Sequence, residues 1–153
     1  LKNVEHYLMN ATKYEHRPNY LTFAGLVFQP MDSGMMGAHN TTNLRTRYYY
    51  QYFANDELYK DKPQPVVLTN ILPDSINTYI REYTGQIVEE INGVKITKLK
   101  DVAEALSKDP EGGFITVRLL GEGRPIVLDK KEAAAAQKRI LQKYNVEEPA
   151  FIE

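Results

Sequence analysis

Asp32, Ser33 and His39 are the residue types of a serine hydrolase site, an acid, a nucleophile and a base in one short stretch. Such a site requires the serine hydroxyl to lie within hydrogen-bond reach of the imidazole, with backbone donors for the oxyanion. The stretch lacks the G-x-S-x-G pattern of a nucleophile elbow. We therefore interpret Asp32 and Ser33 as a polar turn and predict no catalytic residue in the chain.

A different chemistry is suggested by the residues Phe23-Ala24-Gly25-Leu26. Glycine permits a turn that presents backbone N–H groups to an anion such as a peptide carboxylate. If Leu26, Val27 and Phe28 form an edge strand beside an amphipathic helix at 99–107, the two would form a groove for an extended peptide. The pattern leaves open a plain alternative, in which the glycine marks a bulge or a packing site.

Composition excludes several other classes of function. The 153 residues suffice for one domain with a core, and 19 basic residues against 20 acidic ones give no field that attracts nucleic acid. No apolar run is long enough for a membrane span, and no leader pattern opens the chain. There is no cysteine, and the three histidines lack ligand spacing, so we predict no metal and no cofactor. Because the chain begins with Leu1, we expect a mature segment or a piece of a larger protein.

The elements that would position the glycine turn are mostly short strands. A β-rich segment at 20–29 is broken at Ala24-Gly25, and a buried strand is predicted at 65–72. Asn92-Gly93 predicts a tight hairpin within 85–96, and alternation predicts strands near 114–119 and 124–129. With no βαβ alternation, these elements predict an α+β domain built on a small antiparallel barrel or sandwich.

Helices are predicted at four places. Pro73-Asp74-Ser75 opens a short helix that runs to about Tyr83. Apolar spacing predicts a helix after Thr97 and another after Asp129, the second beginning with a capping box. The apolar face of the first is Leu99, Val102, Ala103 and Leu106, and that of the second is Ala133, Ala136, Ile140 and Tyr144. Within 31–64, Leu44, Tyr48 and Tyr52 recur at i, i+4 and i+8, which favours a surface helix packed by its tyrosines.

Four segments together resemble the C-terminal PDZ domain of HtrA/Deg-type serine proteases, in the branch of the plant Deg proteases and their bacterial relatives. They are PNYLTFAGLVFQPM (18–31), PVVLTNILPDSINTYI (65–80), GQIVEEINGVKITKLKDVAEAL (85–106) and RPIVLDKKEAAAAQKRILQKY (124–144). The resemblance implies a lead-in arm at 1–19, a PDZ-like domain at 20–129 with an insertion at 31–64, and an appended helix and tail at 130–153. Gln86, where many PDZ domains carry aspartate, and the insertion and appended helix depart from a minimal PDZ domain.

The resemblance also implies a site and partners. The carboxylate-binding loop would be Phe23, Ala24, Gly25 and Leu26, the peptide-pairing strand Leu26, Val27 and Phe28, and the groove helix would offer Leu99, Ala103 and Leu106. Partners would be peptide or protein C-termini, the protease domain and another PDZ domain of the parent chain, and further subunits of a homo-oligomer. The function implied is a non-catalytic regulatory domain that binds peptide C-termini or unfolded substrate segments for proteolysis in protein quality control. The alternative is an assembly element with a closed groove that holds the protease in a homo-oligomer. The expected location is the periplasm or cell envelope in a bacterium and an organelle in a plant.

Overall fold

The computed structural model describes residues 17–39 and 41–153. The predicted lead-in arm at 1–19, with His6 and His16, therefore lies almost wholly outside the described residues. The described part contains eight strands. These are β1 (Tyr20–Phe23), β2 (Leu26–Pro30), β3 (Val66–Ile71), β4 (Gln86–Ile91), β5 (Val94–Lys95), β6 (Phe114–Leu119), β7 (Ile126–Asp129) and β8 (Ala150–Phe151).

Four α-helices accompany the strands in the described residues, two of them within the segment 31–64. They are α1 (Ser33–His39), α2 (Leu44–Gln51), α3 (Leu99–Ser107) and α4 (Lys130–Lys143). Short 3₁₀ turns lie at Leu58–Lys60, Ser75–Asn77, Arg81–Tyr83 and Glu111–Gly113. The predicted α+β class with antiparallel strands is confirmed.

The strands form one antiparallel sheet in the order β7-β6-β4-β3-β2-β1-β8, with β5 paired to β4. The predicted hairpin is present, since Asn92 and Gly93 connect β4 to β5 with φ values of 52° and 79°. Positive φ at both central residues is the signature of a primed turn.

Both faces of the central strands are covered. Val66, Leu68 and Val88 belong to the main core, which also includes residues of α3 and α4. Val67 and Ile87, which point to the opposite face, belong to a second cluster with Met31, Met35 and Phe53. The segment 31–64 therefore covers the sheet face opposite the main core.

Two helix predictions need correction. The helix predicted from Asp74 to about Tyr83 is two separate 3₁₀ turns, because short polar side chains bond the local backbone: Thr78 Oγ1 donates to Asp74 O at 3.1 Å. Helix α2 forms as predicted, but its Leu44-Tyr48-Tyr52 face is exposed. The packing side chains lie elsewhere, namely Thr46, Tyr49, Tyr50 and Phe53.

Candidate peptide-binding site

The turn at Ala24-Gly25 is the connection of a β-hairpin. Ala24 has φ 50° and Gly25 has φ 87°. Phe23 lies opposite Leu26 in the antiparallel register that joins β1 to β2. The predicted break in the strand is therefore a two-residue turn with positive φ at both positions, and the chain folds back on itself there.

Helix α4 supplies a hydrogen-bond partner to this turn. The backbone N–H of Ala24 donates to Gln137 Oε1 at 2.8 Å, and Gln137 Nε2 donates to Thr22 O at 3.0 Å. Ala24 is fully buried. The N–H that the sequence assigned to an incoming carboxylate is thus bonded to an oxygen of the chain itself.

The other side of the turn is bonded to a second buried amide. Asn77 is fully buried, and its Nδ2 donates to Ala24 O at 3.1 Å and to Leu72 O at 2.9 Å. The N–H of Leu72 donates to Gly25 O at 2.7 Å. A Cβ on Gly25 would lie 2.3 Å from Asn77 Nδ2 and 2.5 Å from Leu72 O. Glycine is required here by both the close approach and the backbone conformation.

Strand β2 is not an edge strand, so the condition set for peptide pairing by Leu26, Val27 and Phe28 is not met here, and their role stays a prediction. On one side it pairs with β3, and on the other it pairs antiparallel with β1. Leu26 and Phe28 are buried, and Val27 is half-buried. An extended peptide needs a free row of backbone groups at a sheet edge, and β2 has none in this conformation.

The outer edge of β1 is covered by the C-terminal tail. Tyr20 pairs with Phe151 and Leu21 pairs with Ala150. The N–H of Thr22 donates to Pro149 O at 2.7 Å. Strand β1 is therefore held between β2 and β8.

Helix α3 lies beside these strands, in contact with both β1 and β2. Its buried residues are Leu99, Val102 and Ala105, whereas Ala103 and Leu106 are half-buried and pack at the margin of the core. The predicted apolar face is thus rotated toward Ala105. The structure brings Leu99, Ala103 and Leu106 near the hairpin, and Leu21 of β1 belongs to the same core cluster as Leu99.

A bidentate ion pair fixes α4 against the turn region. Arg139 Nε lies 3.0 Å from Asp74 Oδ2, and Arg139 Nη2 lies 2.7 Å from Asp74 Oδ1. This guanidinium holds the pKa of Asp74 at about 2, below its ordinary value of 3.8, although removal from water acts in the opposite direction. Tyr144 Oη donates to Pro73 O at 2.8 Å one turn further along.

The hydrolase-like residues do not converge. Ser33 and His39 are the first and last residues of α1. A rise of 1.5 Å per residue separates them by roughly 9 Å along the helix axis. Asp32 Oδ1 accepts a hydrogen bond from Met35 N at 2.7 Å, which is the helix-start role of a polar turn residue.

The described residues contain neither a metal-binding cluster nor a membrane-spanning helix. No group of three or more His, Asp or Glu side chains there could hold a metal ion. None of the described helices is long and apolar enough to cross a membrane.

Sequence reasoning missed Gln137 and Asn77, the two amides that bond the turn. Gln137 follows the buried Ala136 and Ala133 on α4, so a polar residue at the border of an apolar helix stripe was the available signal. The sequence around Asn77 gave no signal, because its role depends on a hydrogen bond to Ala24, which lies 53 positions earlier in the chain.

Comparison with protein families matches residues 9–150 to the PDZ domain. Among curated proteins, the chain is 28% identical over 137 residues to "Putative protease Do-like 12, mitochondrial" of Arabidopsis thaliana, covering 88% of this chain and 23% of that protein. It is 31% identical over 140 residues to "Putative protease Do-like 13" of the same plant, covering 91% of this chain and 24% of that protein.

A third relative is the "Serine protease DegP homolog" of Plasmodium falciparum, 30% identical over 100 residues, which are 65% of this chain and 11% of that protein. The chain thus spans about a quarter or less of the length of the curated relatives it matches. The similarity concerns one domain of much longer proteins.

Proposed function

Because the chain belongs to the PDZ domain family, and because its curated relatives are Do-like and DegP-like proteases, we propose that it is a non-catalytic regulatory domain of a Deg/HtrA-type serine endopeptidase in protein quality control. The protease domain and another PDZ domain would belong to other parts of the parent chain. The separation of Ser33 from His39 along α1 supports a non-catalytic role.

The peptide groove of this domain is closed in its resting state. The observation that carries this proposal is the antiparallel pairing of β1 with β2 on the side opposite β3. A bound peptide would add a strand along β2, and β1 already supplies that strand. The closed groove favours an assembly role, in which the domain holds the protease in a homo-oligomer.

A second function is favoured by the chemistry at the turn. Gln137 Oε1 accepts from Ala24 N as a carboxylate oxygen would. If α4 and β1 move away, the turn would offer this N–H to a peptide C-terminus or an unfolded segment. Capture of substrates would then follow opening of the domain. The word "mitochondrial" in the name of one relative supports an organellar location.

The two functions are separated by a titration monitored by NMR. The ligands are peptides that end in apolar residues, each prepared as the free acid and as the C-terminal amide. If the groove is closed, we expect no saturable change in chemical shift with either the free-acid or the amidated peptides. Saturable binding of the acids that is lost in the amides would contradict the closed groove and establish capture as the function.

If the unaltered chain binds no peptide, a pair of variants on α4 shows whether the groove can be opened. Gln137→Ala removes the internal partner of Ala24 N, whereas Lys138→Ala changes an exposed neighbour on α4. Acid-specific binding that appears only in Gln137→Ala would support a closed groove that can be opened. If no peptide changes the spectrum of any of the three proteins, the result would support assembly.

A further inference from the structure

The outer edge of β1 binds the C-terminal tail, residues 145–153, through specific side-chain contacts. Arg17 Nη2 lies 2.5 Å from Glu148 Oε2, and Arg17 Cζ lies 4.3 Å from the centroid of the Phe151 ring. Tyr20 Oη donates to Glu148 O at 2.7 Å. One arginine thus holds an acidic and an aromatic residue that are three positions apart in the tail.

The backbone of the tail fits the same edge at Thr22. The N–H and the Oγ1 of Thr22 donate to Pro149 O at 2.7 and 2.8 Å. In an antiparallel ladder the carbonyl of Thr22 would accept from the residue opposite, but Gln137 Nε2 already donates to it at 3.0 Å. Proline has no N–H, so Pro149 leaves no donor unpaired at this position. The edge is therefore matched to a segment of the form Glu-Pro-x-aromatic.

The tail is attached at the surface of the domain. Each of residues 145–153 is exposed or half-buried. Strand β8 has only two residues, which pair with Tyr20 and Leu21 of β1. Segments with few buried contacts open at a free-energy cost well below that of global unfolding. Local release of the tail would leave Arg17 and the edge of β1 available to another segment of the same chemistry.

The hinge between α4 and the tail carries backbone strain. Residues 144–149 connect α4 to β8, and Asn145 among them has φ 54°, a left-handed conformation that favours glycine. Asn145 ends α4 in a Schellman motif, in which Val146 N donates to Leu141 O at 2.9 Å. If Asn145 becomes helical, the strain is relieved and α4 continues, which directs the tail away from its own β1. Short hinges under strain favour exchange of a segment between copies.

We propose that the tail exchanges between two copies of the chain, so that β8 of each copy pairs with β1 of the other. The inference rests on the proposed assembly role and deepens it by naming the contact. Each copy makes in the dimer the tail contacts that it makes alone, so the loss of independent motion opposes association and the relief of Asn145 favours it. Within a homo-oligomer, the high effective concentration of neighbouring tails favours exchange further. Strand β1 keeps a tail at its outer edge, so the groove along β2 stays closed.

The first test is sedimentation equilibrium of the full 153-residue chain at concentrations up to about 1 mM. We expect a monomer–dimer equilibrium. Asn145→Ala favours a continuous α4 and should lower the dissociation constant about tenfold or more, because each dimer contains two hinges. Asn145→Gly removes strain from the turn and should raise the constant. The matched control is Glu57→Gly, which replaces a left-handed residue of equal φ in the segment 31–64 and should leave the constant unchanged.

A cross-link then identifies the exchanged segment. Leu21 and Ala150 are Cα partners, and directly opposed residues lie within the range that a disulfide spans. The double variant Leu21→Cys/Ala150→Cys should give an intramolecular disulfide when oxidised as a monomer and a covalent dimer with two disulfides when oxidised as a dimer. A mixture of the single variants Leu21→Cys and Ala150→Cys should give a covalent heterodimer. The control mixture pairs Leu21→Cys with Val127→Cys, an exposed position on β7, and should give none.

A chain that sediments as a monomer at every concentration would overturn the exchange. So would a dimer in which the double cysteine variant forms only intramolecular disulfides, or one whose dissociation constant is the same for Asn145→Ala and Asn145→Gly. Such a dimer would keep the assembly role and remove the tail from it. Because Leu21 is buried, the Asn145 variants decide the question if its replacement disturbs folding. Peptide titration reports on the groove alone, so failure of the exchange does not imply failure of the closed groove.

Discussion

The side chain of Gln137 bonds to the turn at Ala24, the turn for which we predict carboxylate binding. Its Oε1 lies 2.8 Å from Ala24 N, and its Nε2 lies 3.0 Å from Thr22 O. One residue of α4 thus satisfies a donor and an acceptor on β1 and its turn. Because Ala24 is fully buried, water cannot replace these bonds without a rearrangement of α4.

Gln137→Ala should therefore lower the stability of the fold. The change leaves a buried N–H and a carbonyl without partners, which costs about 1–3 kcal/mol for such a group. Urea denaturation followed by circular dichroism measures the free energy of unfolding. Lys138→Ala is the control for the loss of a long side chain on α4, and it should change that free energy little. Equal stabilities of the two variants would mean that the Gln137 bonds contribute nothing.

Gly25→Ala should destabilise the chain more than Gly93→Ala. Both glycines have positive φ, +87° and +79°, so both variants suffer the strain of a left-handed residue, about 1–2 kcal/mol. Only at Gly25 would the new Cβ meet other atoms, at 2.3 and 2.5 Å, whereas at Gly93 nothing lies within 4 Å. The difference in unfolding free energy between the two variants therefore measures the close packing of the turn. No difference would show that the turn has room for a side chain.

The Asp74–Arg139 pair should make stability depend on pH in the acid range. The pKa of Asp74 is about 2 in the folded chain, below the ordinary 3.8, so the unfolded chain binds more protons between these values. The stabilisation is complete above the unfolded pKa and is lost as pH falls from about 4 to about 2. Asp74→Asn keeps an N-capping side chain while removing the charge.

Unfolding free energies of the unaltered chain and of Asp74→Asn, measured from pH 6 to pH 2, test this expectation. The stability advantage of the unaltered chain should shrink as the pH falls. Parallel curves across the whole range would show that the ion pair does not shift the pKa of Asp74.

Lys62 joins the segment 31–64 to β4 through a buried charge. Its side chain is fully buried, and its Nζ lies 2.7 Å from Glu89 Oε2 and 3.0 Å from Asp61 Oδ2. These carboxylates raise the pKa of Lys62 against the opposing effect of burial. Lys62→Met should cost about 3 kcal/mol, because it leaves the Glu89 carboxylate without its ion-pair partner, whereas Asp61 keeps its pair with Lys95.

The control is Lys60→Met, which breaks an exposed pair with Glu57 and should change stability little. Guanidinium denaturation of both variants gives the comparison. A Lys62→Met variant as stable as the unaltered chain would show that the buried pair is replaceable by apolar packing.

Local patterns were sufficient for much of the fold. The Asn92-Gly93 turn, strands β3, β6 and β7, and the start of α4 at Asp129 follow from turn residues, alternation and capping. These features depend on neighbours in sequence. The apolar spacing on α4 likewise identified Ala133, Ala136 and Ile140 as buried.

Such local patterns could not predict whether the groove along β2 is open or closed. The break at Ala24-Gly25 was visible, but whether β1 would fold back on β2 depends on the tail at Pro149–Phe151 and on Gln137, all more than a hundred residues away. The prediction that α2 packs through the face of Leu44, Tyr48 and Tyr52 was wrong for a related reason. Leu44, Tyr48 and Tyr52 have the spacing of a buried face. Thr46 and Arg45, however, bond to the residues that border β4 and β6, and these contacts turn that face outward.

The most direct test of the closed groove is a disulfide between β1 and β2. Thr22 and Val27 are Cα partners on adjacent antiparallel strands, and the chain has no cysteine of its own. Directly opposed residues lie about 4.5–5.5 Å apart, within the range that a disulfide spans. The control is Thr22→Cys/Asn70→Cys, because Asn70 lies opposite Val27 on β3 and is thus two strands from Thr22, about 10 Å away.

Oxidation of the folded Thr22→Cys/Val27→Cys variant should give one intramolecular cross-link rapidly and almost completely, whereas the control should remain reduced. An excess of free-acid peptide should not slow the cross-link. A folded variant that fails to cross-link, or one that cross-links no faster than the control, would contradict the claim that β1 fills the groove along β2.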